Sequence, residues 1–159
     1  MNTTETIVGA ETSQFLTFTL GEEEYGIDIL KVQEIRGYSA TTYIPNAPAH
    51  VKGIINLRGT VVPVVDLRAK FGMAAVEYTK FTVIVVVKVA EKIAGLIVDA
   101  VSDVLNVASS EIRPAPDFGT HCDTRFIRGV VSVADKLAVL VNIDELLSEE
   151  ETAGIAGGN

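Results

Sequence analysis

Along most of the chain, apolar and polar positions alternate in short runs rich in β-branched and aromatic residues, the pattern of half-buried strands. Phe15-Leu16-Thr17-Phe18-Thr19-Leu20 sets Phe18 and Leu20 on one face across Thr17 and Thr19. The charged turn Gly21-Glu22-Glu23-Glu24 leads into a second run over 25–29, so the two predict a hairpin. Runs over 51–57 and 60–65 flank an Arg58-Gly59 corner and predict another. Pro63 within the second of these cannot donate to a ladder, which predicts an edge position or a bulge. Runs over 81–89 and 93–98 form a third group, and 126–133 with 137–141 a last hairpin around Ala134-Asp135-Lys136. Helical spacing is confined to short stretches. Ile29, Val32 and Ile35 recur every third residue and predict a short helix ending near Gly37. Asp66 predicts a cap for a helix over 67–71 stopped by Gly72, and Asn142 or Asp144 a cap for a terminal helix reaching Leu147. Residues 98–107 stay open between a helix, with Val101 and Val104 on one face, and a strand, which their β-branched content favours. Pro114 and Pro116 then predict an extended loop over 114–125.

The pattern repeats. Val51-Lys52-Gly53-Ile54-Ile55-Asn56-Leu57 moved by 76 positions falls on Ile127-Arg128-Gly129-Val130-Val131-Ser132-Val133. The register continues without a gap, Val61 onto Leu137 and Asp66-Leu67 onto Asn142-Ile143. At an offset of 69, Gly26-Ile27 meets Gly95-Leu96, while Val32 and Ile35 meet Val101 and Val104. Two small β-barrels of about five strands each, side by side with a shared core, are the physical reading. The expected boundaries are an arm over 1–12, one folded unit over 13–148 and a tail over 149–159. Within the unit, barrel subdomains near 13–75 and 80–148 are expected, with strand exchange between them left open. Gly53, Gly59, Gly95 and Gly129 are read as structural turn glycines.

Charge narrows the function classes. Thirteen Lys and Arg against twenty-one Asp and Glu give a net charge of −8, the wrong balance for neutralising phosphates, so no nucleic-acid partner is expected. No uninterrupted apolar run is longer than 83–87, far short of the roughly twenty residues a membrane-spanning helix needs, so no direct membrane insertion is expected. With no basic and apolar leader in the first residues and Cys122 as the one cysteine, a cytoplasmic, reducing location is expected. Catalytic constellations are missing. No glycine-rich phosphate loop can be written, and neither His50 nor His121 has a partner at metal-ligand spacing. His121 and Cys122 are adjacent, an arrangement unsuited to a nucleophilic dyad across a pocket. Asp99 and Asp103 read as solvated acids, and Asp66 with Arg68 as a helix cap and an exposed cation. No enzyme, cofactor or metal is expected.

One corner stands apart. Arg58 occupies a hairpin tip, where its planar fork can take a carboxylate or backbone carbonyls; a simple exposed charge is the equal alternative. Glu34 lies beside the Ile29, Val32, Ile35 stripe but off its apolar face, so a cationic partner inside or outside the chain suits it.

Several long strings, in order, carry a family resemblance. They are the stretch from Gly21-Glu22-Glu23-Glu24-Tyr25-Gly26 through Val32-Gln33-Glu34-Ile35-Arg36-Gly37, then Lys52-Gly53-Ile54-Ile55-Asn56-Leu57-Arg58-Gly59, and Val62-Pro63-Val64-Val65-Asp66-Leu67-Arg68. Gly95-Leu96-Ile97-Val98-Asp99 and its continuation to Leu105, Ile112-Arg113-Pro114-Ala115-Pro116 and Leu140-Val141-Asn142-Ile143 extend them. Over residues 14–148 the chain resembles the CheW-like family of bacterial chemotaxis coupling proteins. The resemblance implies an all-β fold with short helices, two intertwined five-stranded SH3-like barrels sharing a core. It implies a non-enzymatic adaptor that bridges the cytoplasmic tip of methyl-accepting chemoreceptors to the regulatory domain of a CheA-type histidine kinase, beside membrane-anchored arrays. A scaffold that binds the kinase but not receptors is the alternative. By matching motif positions, Val32, Glu34, Val83, Val101 and Val104 fall in or near a receptor-binding groove between the barrels, and Arg58 matches an arginine needed for coupling.

Overall fold

The computed structural model describes residues 12–114 and 126–147. The readings made for the N-terminal arm, the tail, and His121 and Cys122 in the loop lie outside the described residues. Strands come in the order β1 (Thr12–Leu20), β2 (Glu23–Asp28), β3 (Val32–Gly37), β4 (Val51–Leu57), β5 (Thr60–Asp66), β6 (Val83–Val89), β7 (Lys92–Val98), β8 (Ala100–Ala108), β9 (Ile127–Val133) and β10 (Lys136–Val141). Single-turn helices α1 (Leu67–Lys70) and α2 (Ile143–Leu146) follow β5 and β10. The strands make two five-stranded sheets, ordered β8-β1-β2-β10-β9 and β3-β6-β7-β5-β4.

The two sheets are copies related by the internal repeat. All six residue pairs of the β4–β5 hairpin recur in β9–β10 at the 76-residue offset, Ile54 opposite Pro63 becoming Val130 opposite Val139. Phe15 opposite Asp28 in β1–β2 becomes Ile84 opposite Ile97 in β6–β7. Even the register shift between Val32 and Glu34 on β3 recurs on β8 between Val101 and Asp103, opposite Phe18 and Thr17 of β1. The sheets nevertheless do not divide at 13–75 and 80–148. Each combines the first two strands of one repeat with the last three of the other, so the halves exchange strands. The crossings are the short β2–β3 and β7–β8 connections. The edge of β2 away from β1 is taken by β10, and β3 pairs with β6 instead.

Exchange produces three apolar cores. Ile55, Val62, Val64, Ile84 and Val86 fill one sheet's own interior, and their repeat equivalents Val131, Ala138, Leu140, Phe15 and Thr17 lie in the other sheet, Thr17 being the polar exception. Between the sheets lies the largest core, with Phe18, Leu20 and Ile27 from one and Val85, Val87 and Leu96 from the other, all without exposed surface. Burying a side chain of this size contributes about 1.5–3 kcal/mol, so the central core is what makes the two halves one unit.

Several local expectations change. Residues 29–35 are not a helix: Ile29–Lys31 is a single 3-10 turn, and β3 follows directly. The three-residue spacing came from a turn with three residues per repeat joined to a strand whose register shifts after Val32. Ile35 consequently stands on the outer face, 44% exposed. Over 98–107 the chain ends β7, crosses at Asp99 and runs on as β8, so Asp99 and Asp103 share no helical face. Pro63 lies on an inner strand rather than an edge, but the parallel ladder from β5 to β7 begins only at Val64. Of the four glycines read as turns, only Gly59 is at one, with φ 89°. The other three lie inside strands.

The helix caps form as expected. The Asp66 carboxylate accepts from the Arg68 and Ala69 amides at 2.9 and 3.4 Å and from the Tyr78 hydroxyl at 2.6 Å. Burial, then the hydrogen bond to Asp66, pushes the Tyr78 hydroxyl well above the ordinary tyrosine range and keeps it a donor. Asn142 caps α2 through the Glu145 amide.

Candidate functional site

The hairpin β4–β5 presents Arg58 to solvent. Arg58 and Gly59 both have left-handed φ, 52° and 89°, the conformation of a two-residue turn that matches strand twist. Asn56 fixes the corner by accepting the Gly59 amide on Oδ1 at 2.7 Å. From this tip the Arg58 guanidinium reaches across to β3, placing Nη2 2.8 Å from Glu34 Oε1. Arg36 Nη1 stands 3.9 Å from the other Glu34 oxygen, so one carboxylate sits between two guanidinium groups. β3 and β4 are the two outer strands of their sheet, so the Arg58–Glu34 pair links its ends. Arg58 remains 70% exposed and Glu34 26%.

The other expected site residues divide between the sheets. Val32 lies two residues before Glu34 on the half-buried face of β3. Val83 opens β6 opposite Gly37. Val101 and Val104 lie on β8, the outer strand of the other sheet, where they are the repeat equivalents of Val32 and Ile35. Val32, Val83 and Val101 all pack partly against the central core, whereas Val104 is 42% exposed. The structure thus unites Glu34 with Arg58 and sets three of the valines against one core. Arg36 was missed, although its two-residue spacing from Glu34 on a strand would have revealed it.

The expected exposed cation, Arg68, is instead nearly buried. Its Nε and Nη2 donate to the two Asp99 oxygens at 2.9 and 2.6 Å, and Nη1 donates to the Ala74 carbonyl at 3.0 Å. The Gly21 amide also donates to Asp99, at 2.8 Å. This clamp joins α1 to the β7–β8 crossing and the β1–β2 turn. It holds the Asp99 carboxyl below the usual range, chiefly through the Arg68 hydrogen bonds and against the effect of burial. Among the described residues no cluster of metal-ligating side chains is present, and no helix is long and apolar enough to cross a membrane.

The CheW-like domain family matches residues 14–151, nearly the whole of the chain. The chain belongs to the CheW-like family. A chemotaxis protein CheW of Klebsiella aerogenes is 49% identical over 140 residues, which cover 88% of this chain and 84% of that protein. A chemotaxis protein CheW of Rhizobium meliloti is 42% identical over 138 residues, 87% of this chain and 89% of that one. The crystal structure of the scaffolding protein TtCheW from Thermoanaerobacter tengcongensis superposes with a TM-score of 0.80 at 35% identity, covering 89% of this chain and 91% of that chain. The fold is therefore that of the CheW-like family, two intertwined five-stranded SH3-like barrels with short helices. Membership also makes the chain a chemotaxis scaffold and not an enzyme.

Proposed function

We propose that this scaffold couples methyl-accepting chemoreceptors to a CheA-type histidine kinase in the cytoplasm, bridging the receptor tip to the kinase regulatory domain so that receptors control autophosphorylation. The observation that carries the reading is the exposed Arg58 fork held at a hairpin tip by Glu34. An exposed ion pair contributes only about 0.2–1 kcal/mol to stability, so its charges are available to recognise a partner at little cost to the fold. Val32, Val83, Val101 and Val104 supply apolar surface on the outer strands and at the start of β6. Receptor state then alters the kinase by shifting an equilibrium of the assembly, without bond chemistry in the scaffold.

Glu34→Lys tests this reading, because it confronts a new cation with Arg58 and Arg36. The expected result is weakened ternary assembly with receptor fragment and kinase, while thermal stability changes by less than about 1 kcal/mol. Unfolding of the variant would make Glu34 a structural residue instead. Arg58→Ala is expected to lose kinase stimulation in the reconstituted assembly, and unchanged stimulation would remove Arg58 from the site. Wild-type binding to the kinase alone would identify a scaffold that does not read receptors.

A further inference from the structure

Beside the Arg58–Glu34 pair lies a cleft of about 450 Å³ whose walls include Leu30, Lys31, Val32, Arg58 and Lys88. The internal repeat supplies a control, because the fold builds each position twice. The repeat registers set Lys88 on β6 against Thr19 on β1, Arg58 against Ala134, and Lys31 against Ala100. Leu30 corresponds to Asp99, whose carboxylate is already bound by Arg68. One cleft thus carries three cations and an apolar side chain, while its counterpart carries no cation at these positions. The same backbone folds both ways, so the cationic lining is not a requirement of the fold.

Local charge is incompletely neutralised. Lys31 Nζ is 3.3 Å from Asp144 and Arg58 2.8 Å from Glu34, but Lys88 is exposed and has no ion-pair partner among the described residues. Arg36 adds a further cation at the Glu34 margin. This positive surplus stands out on a chain of net charge −8. Leu30, 87% exposed, is the most exposed large apolar side chain described and sits at the same cleft. A carboxylate on Lys88 and Arg58 with an apolar side chain on Leu30 and Val32 would use every one of these features. The apolar anchor favours a protein segment over a nucleic-acid backbone, which the net charge also repels.

We propose that this cleft receives an acidic segment of a protein partner, a carboxylate-bearing side chain meeting Lys88 and Arg58 while a neighbouring apolar side chain packs on Leu30. The proposal rests on the coupling reading and names the partner chemistry at its Arg58 corner. It is tested by titrating the full chain with a receptor cytoplasmic fragment and with a kinase regulatory domain, separately, at low and high salt. For one of the two, Lys88→Glu and Leu30→Asp are each expected to weaken binding by about tenfold or more, and Lys88→Arg to retain it. Lys88→Glu should also flatten the salt dependence of that titration. Both side chains are exposed, so melting temperatures should stay at the wild-type value. If the wild type binds either fragment and all three variants bind equally well, the cleft proposal falls while the coupling reading stands. Loss at Leu30→Asp without loss at Lys88→Glu also overturns it, since the surface would then select apolar character and not acid. Wild-type binding to neither fragment would bring down the coupling reading and the proposal with it.

Discussion

Gly53→Ala is expected to lower the melting temperature by about 10 °C or more, the added Cβ being the most crowded among the described glycines. A Cβ built on Gly53 would lie 2.2 Å from the Thr42 carbonyl oxygen and 2.9 Å from its carbon. The segment it would strike is bound to β4 by two backbone hydrogen bonds, Thr42 N–H to the Ile54 carbonyl and Ile54 N–H to the Thr42 carbonyl, both 2.9 Å. Thr41 adds a third contact by donating its hydroxyl to the Lys52 carbonyl at 3.1 Å. Backbone cannot rotate away as a flexible side chain can. Either the crossing segment lifts and forfeits those bonds, at about 1 kcal/mol each, or β4 deforms at the cost of overpacking, about 1–3 kcal/mol. The left-handed φ of 147° adds strain for any side chain. The sum is on the order of 3–5 kcal/mol. Gly59→Ala separates the two causes: Gly59 also has a left-handed φ, but nothing stands within 4 Å of its Cβ position. It should cost only about 1 kcal/mol. Thermal denaturation of the pair decides the matter, and a Gly53→Ala protein melting within a few degrees of wild type would show that the Thr42 crossing gives way easily.

This crowding also explains how far the fold was legible in the amino-acid sequence. The repeat could be read because Gly53 and Gly129 recur at one offset inside similar apolar runs, and both serve the same purpose. The Gly129 Cβ would lie 2.7 Å from the Arg113 carbonyl, where a second segment crosses the matching strand. What those glycines do was not legible, since a close approach depends on a chain segment that is remote in sequence. Strand exchange was hidden for a related reason. Both halves carry the same alternation, so the pattern of β3 suits β2 or β6 as a neighbour, and only the parallel pairing of β2 with β10, remote in sequence, decides. Glu34 and Arg58 were recognisable as residue types needing partners, but pairing them requires knowing that β3 and β4 end the same sheet. Leu30 and Lys88 gave no such sign. Each sits at the end of an ordinary apolar run, and their shared cleft arises only when the β2–β3 turn meets β6. Arg68 misled in the opposite direction, because its partner Asp99 arrives with the crossing from the second repeat.

Arg68→Ala is expected to destabilise the protein by about 3 kcal/mol, because it strips a partly buried carboxylate of its cation. The Arg68 side chain is only 13% exposed and Asp99 28%, so solvent replaces the lost bonds poorly. In the other half Asp144, the repeat equivalent of Arg68, pairs instead with Lys31, one residue past the equivalent of Asp99; the charges are reversed and the pair is more exposed, at 34% and 57%. Truncating it should cost no more than about 1 kcal/mol. The stronger clamp also carries a pH signature. The Asp99 carboxyl is held below the ordinary aspartate range in the folded protein, first by the Arg68 hydrogen bonds and then by the Gly21 amide, with burial opposing both. A carboxyl lowered in this way binds its proton more readily when the chain is unfolded. Its contribution is therefore complete above the unfolded aspartate value of about 3.9 and disappears as pH falls through the folded value. Asp99→Asn removes this dependence while keeping the size of the side chain. At neutral pH the variant should be less stable than wild type, and the gap should close steadily as denaturation is repeated at lower pH below about 4. A gap that stays constant across that window would mean that Asp99 holds the β7–β8 crossing by shape alone, and that the charge on Arg68 contributes nothing to joining the two barrels.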